Sequence, residues 1–150
     1  MKKKTIWFVF LLALFISSYI REVLFRSVNA LIEGERFFYA KTISIPFLFD
    51  WSPDQLIQLK YMMTAGFSLW FIALSLLGVR FSINAANAFK ILFYFYAIAA
   101  LTLSILFIIS LLLSNFNLVY PYMRYIIGFL HGPLPYIFVS IGVIAIQQLK

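Results

Sequence analysis

The chain has no cysteine and a single histidine. A disulfide, a thiolate nucleophile and a cysteine metal site are therefore excluded, and one histidine cannot by itself build a zinc site or a haem pair. Charge is scarce as well. Only 11% of residues are charged, against about 25% in a typical soluble domain. No HExxH run and no glycine-rich phosphate loop occurs, and no pair of carboxylates lies within an apolar stretch. No cofactor and no metal is expected. What remains is 64% hydrophobic and 20% aromatic, in runs too long for a soluble core of 150 residues to hide. The net charge of +7 comes from basic residues scattered at the edges of apolar runs, so it does not indicate nucleic acid.

The composition predicts one all-α membrane domain over 1–150. Four transmembrane helices are expected, at about 5–25, 58–79, 91–113 and 122–146. Lys2-Lys3-Lys4 followed by an apolar run has the look of a signal peptide. Ser17-Ser18 is a poor cleavage site, which favours an uncleaved first helix. That helix should continue past Arg21 and stop near Gly34, since arginine can snorkel on its long stem. Residues from about 26 to 52 form a segment expected to lie against the membrane, with Phe37, Phe38, Tyr39, Phe47, Phe49 and Trp51 suited to the headgroup layer. Ser52-Pro53-Asp54-Gln55 carries the signature of a helix start: a serine cap, proline at the first position and a capping-box glutamine. Asn115 and Asn117 mark the turn before the last segment.

Charge sets the expected topology. Lys2, Lys3, Lys4, Arg80, Lys90 and Lys150 fall on one side, and all five carboxylates fall on the other. The positive-inside rule then places both termini in the cytoplasm of a bacterial inner membrane.

The stretch from Tyr120 to Tyr136 is the least ordinary part of the chain. Arg124, Gly128 and His131 are spaced i, i+4, i+7 and would share a helix face. Gly132-Pro133-Leu134-Pro135 interrupts the helical hydrogen-bond ladder. It reads as a hinge or docking notch, as a kink, or as a surface helix joined to a short final span. His131 would either satisfy backbone groups freed by Pro133 and Pro135 or meet a partner. Arg21, Glu22 and Arg26 form a second polar cluster, with Glu22 and Arg26 spaced to pair. Ser68, Ser75, Ser104 and Ser110 read as helix-packing residues, because no base lies nearby in sequence.

Two short motifs carry a family resemblance: Arg21-Glu22-x-x-Phe25 at the end of the first span, and Arg124-x-x-x-Gly128-Phe129-x-x-Gly132-Pro133-Leu134-Pro135. With the four-span layout, they make the chain resemble the small exosortase-associated integral membrane proteins of Bacteroidetes-type bacteria. Gly132 stands where that pattern leads one to expect serine. The resemblance implies an accessory role beside an exosortase-type enzyme that processes proteins with carboxy-terminal sorting signals. Such enzymes use cysteine, arginine and histidine, so a chain without cysteine is not the enzyme itself. The expected function is therefore non-catalytic: binding or assisting that enzyme, with membrane lipids and the enzyme as partners. Arg21, Glu22, Arg124, Gly128, His131 and Pro133 are the candidate contact residues. The alternative is a small transporter or channel subunit with a path at the Gly132–Pro135 break.

Overall fold

The structure, a computed structural model, describes residues 3–34, 42–83 and 86–148. These residues form five α-helices and one 3₁₀ turn, with no strand among them. The helices are α1 (Lys3–Ile32), α2 (Pro53–Ser82), α3 (Ala86–Leu112), α4 (Phe116–Leu130) and α5 (Leu134–Gln148). Three of them, α1, α2 and α3, are long and apolar enough to cross a bilayer. The α4–α5 pair reaches the same standard only if its two bent halves count as one span. The fold is thus the all-α membrane architecture expected, with three or four candidate spans according to how the bent α4–α5 pair is counted.

Local chemistry explains the boundaries. α1 stops where Gly34 takes a positive φ of 78°, a conformation in which a side chain is strained. α2 starts on the full capping box: Ser52 accepts from the Gln55 backbone N–H, and the Gln55 side chain accepts from the Ser52 N–H. The turn before α4 is tighter than the sequence implies. Asn115 is the cap, and Asn117 already lies in the first helical turn.

α1 and α2 each have 30 residues, roughly 45 Å at 1.5 Å per residue, so both outrun the roughly 30 Å apolar core of a bilayer. The overhang is used. Val28 of α1, Leu48 of the 3₁₀ turn (Pro46–Leu48) and Leu56 of α2 form a small second core beyond the spans. Ser27 Oγ accepts from the Ile43 N–H at 2.9 Å, tying the segment to α1. Residues 42–50 therefore pack on the helix pair. Residues 35–41, including Phe37, Phe38 and Tyr39, lie outside the described residues.

The main core draws on four helices. Leu14, Phe71, Val79, Leu92, Tyr96, Tyr136 and Val143 are buried together. α2 is its hub and packs against each of the other four helices. α3, by contrast, exposes Phe93, Tyr94, Ile98, Leu101, Ile105, Ile108 and Leu112. That much contiguous apolar surface is at home against acyl chains, not water.

Candidate functional site

The polar interior is organised by α2. Ser68, Ser75 and Ser82 are spaced seven residues apart, two helical turns, and so lie on one slowly drifting stripe. Each meets a polar ring group from a different element. His131 Nε2 lies 2.7 Å from Ser68 Oγ. Tyr96 of α3 donates its hydroxyl to Ser75 at 3.1 Å. Tyr136 of α5 lies 3.1 Å from Ser82 Oγ. In a membrane such interhelical bonds contribute about 0.6 kcal/mol each on average, so the ladder fixes register more than it supplies stability.

The proton arrangement at the first rung follows from its neighbours. The Ser68 hydroxyl donates to the Thr64 carbonyl at 2.8 Å. Its oxygen is then the acceptor for His131, which donates through Nε2–H. The imidazole stacks on Phe71 at 5.5 Å between centroids and is 1% exposed. His131 Nδ1 is buried without a hydrogen-bond partner among the described residues. The histidine side chain thus turns to α2, rather than to the backbone near the prolines.

The break beside it is a helix restart. His131 caps α4, its N–H still bonded to the Ile127 carbonyl at 2.9 Å. After Gly132 and Pro133 the chain re-enters a helix, bent by 56° from α4. Pro133 precedes α5 and Pro135 sits in its first turn, where a missing N–H breaks no helical bond. Gly132, Pro133, Pro135 and Tyr136 are all buried.

The remaining predicted residues divide between interior and surface. Arg124 and Gly128 are exposed on α4. With Tyr120, Pro121, Tyr125 and Phe129 they line an open groove of about 630 Å³. A side chain built on Gly128 would meet nothing within 4 Å. Arg21 is half-buried, its guanidinium 5.0 Å from the Phe25 ring centroid. Glu22 pairs with Arg26 in a half-exposed bridge worth well under about 1 kcal/mol. So His131 and Pro133 are internal, whereas Arg124 and Gly128 present a surface.

Sequence reading missed Ser82, Tyr96, Tyr136 and Phe71 as members of this site. The seven-residue serine spacing was the available signal. The identity of the ring group opposite each serine was not readable, because it depends on how α3 and α5 cross α2.

Replacing His131 with alanine should cost about 3 kcal/mol, the range for losing a buried ring. In a double-mutant cycle with Ser68→Ala, read by unfolding in detergent, the coupling should be at least about 0.5 kcal/mol. Additive effects would mean that the 2.7 Å contact contributes nothing.

Among the described residues no three histidine, aspartate or glutamate side chains gather as a metal-binding group. Comparison with protein-family models, with curated proteins and with solved structures found no match to this chain. The class defined by fold and site is a multi-pass α-helical membrane protein with a hydrogen-bonded interior and an open, largely aromatic surface groove beside Arg124.

Proposed function

We propose that this protein is a non-catalytic accessory subunit that binds a membrane enzyme and assists it. The observation that carries this reading is the α4 groove. It sets an exposed arginine and a bare glycine among aromatic side chains on the outer face of a helix whose other face is packed. Gly128 lets a partner's backbone or side chain approach closely. Arg124 supplies charge-assisted hydrogen bonds, and Tyr120, Tyr125 and Phe129 supply large stiff contact area. The resemblance of the two motifs to those of exosortase-associated proteins supports an exosortase-type sorting enzyme as the partner. The carboxylate-free set Lys2–Lys4, Arg80, Lys90 and Lys150 faces an opposite end where six basic residues are offset by all five carboxylates, and this difference in net charge supports a bacterial cytoplasmic membrane with both termini inside.

The transporter reading draws less support. The groove touching the break, about 250 Å³ between α3 and α5, is lined by Ile91, Phe95, Pro135, Phe138 and other apolar residues. It offers a polar solute no hydrogen-bonding path.

The test is co-purification in mild detergent with the exosortase-type enzyme of the same genome. Arg124→Ala should weaken the complex at least tenfold, as for a desolvated charge contact worth about 1.4 kcal/mol or more. Substrate flux in liposomes, lost in His131→Ala, would favour the transporter instead.

A further inference from the structure

Arg21 of α1, Lys60 of α2 and Arg124 of α4 each lie at the same edge of the apolar spans. Lys60 immediately precedes the apolar run of α2 that starts at Tyr61. Ser68 lies eight residues deeper on α2, about 12 Å, and Arg124 lies seven residues above His131 on α4, about 10 Å. Because Ser68 and His131 are bonded, Lys60 and Arg124 come to a similar depth. Arg21 lies one turn from Ser17, whose Oγ accepts from Trp70 Nε1 of α2 at 3.0 Å, so it too sits toward the Lys60 end of the α1–α2 pair.

Each carboxylate near these cations is itself engaged or exposed. Glu22 is the nearest to Arg21 and is engaged by Arg26. Glu33 attracts Lys60 but sits on the exposed end past α1. Arg21 Nε is buried without a hydrogen-bond partner among the described residues. A half-buried guanidinium with an unpartnered Nε lowers its energy by taking an anion at that atom.

The surroundings say which anion fits. One turn deeper, between α1 and α2, is an apolar groove of about 350 Å³ lined by Ser17, Ile20, Met63, Gly66, Phe67 and Trp70. Ile20 adjoins Arg21, and Met63 is one turn from Lys60. A charged mouth at headgroup depth above an apolar slot matches a phosphate carrying an acyl chain. We propose that Arg21 and Lys60 bind the phosphate of an anionic phospholipid, with one acyl chain in the α1–α2 groove. The site does not require the partner enzyme, whose proposed contact, Arg124, lies in the separate α4 groove.

The test is native mass spectrometry of the purified protein in detergent with equal phosphatidylglycerol and phosphatidylcholine. Wild type should retain phosphatidylglycerol preferentially. Arg21→Gln and Lys60→Gln should each cut that preference roughly fivefold, the effect expected of one basic residue near a headgroup. Arg21→Lys should keep most of it, which separates lost charge from lost folding. Lys90→Gln, at the other end of the bundle, should leave it unchanged. Equal retention of both lipids by wild type would overturn the proposal. So would a preference insensitive to Arg21→Gln and Lys60→Gln. Displacement of the lipid by millimolar inorganic phosphate would assign the cluster to a free anion instead. Loss of the enzyme complex in Arg21→Gln, with no lipid preference in wild type, would assign it to a partner carboxylate.

Discussion

Replacing Gly78 with alanine should destabilise the protein by about 1–3 kcal/mol, and leucine there should prevent native packing. A Cβ at this position would stand 2.9 Å from Tyr136 Cε2 and 3.1 Å from both Cβ and Cγ of Phe10. A flexible neighbour could yield a few tenths of an ångström. Tyr136 cannot yield easily. It is fully buried, stacks on Trp7 at 6.0 Å between centroids, and reaches Ser82 with its hydroxyl. Ser82 in turn donates to the Gly78 carbonyl at 2.6 Å, so the ring and the glycine are held by the same hydroxyl. Gly78 is thus where α1 and α5 close on α2. The check is reversible unfolding in detergent, beside Gly66→Ala and Gly142→Ala. Both controls lie in helices with nothing within 4 Å of a Cβ, so they should be neutral or gain up to about 1 kcal/mol from helix propensity. Equal behaviour of the three variants would remove the case for a close approach at Gly78.

The parts of this fold that sequence revealed are those set by local chemistry. Ser52, Pro53 and Gln55 announce the start of α2, because a capping box satisfies donors within four residues of each other. Gly34 announces the end of α1 for a similar reason. Apolar runs of bilayer length announced the spans. The helix break also showed, since proline removes a backbone donor wherever it sits. Its sharpness did not show. A kink and a restart share the same Gly-Pro-x-Pro letters, and only the 56° bend and the placement of Pro135 in a first turn separate them. The site divides in the same way. Arg124 and Gly128 were identifiable as neighbours from i, i+4 spacing on one helix. His131 was identifiable as unusual, but not its partner: Ser68 is 63 residues away and meets it only through tertiary packing.

Replacing Gly128 with leucine should abolish the complex with the sorting enzyme while leaving the fold intact. Gly128 is exposed in the α4 groove, and an added side chain meets no atom of its own chain within 4 Å. Leucine also favours a helix more than glycine, by up to about 1 kcal/mol. The isolated variant should therefore unfold no earlier than wild type. Its side chain fills the space between Arg124 and Phe129 that a docking helix would occupy. Few substitutions separate folding from docking this cleanly, because most residues at an interface also pack inward. The direct measurement is co-purification of the exosortase-type enzyme with wild type and with Gly128→Leu, beside the unfolding curve of each. The account predicts a stable wild-type complex, and a Gly128→Leu protein that is folded but alone. A wild-type protein that elutes without the enzyme, while the enzyme processes its substrates equally well in its absence, would contradict it.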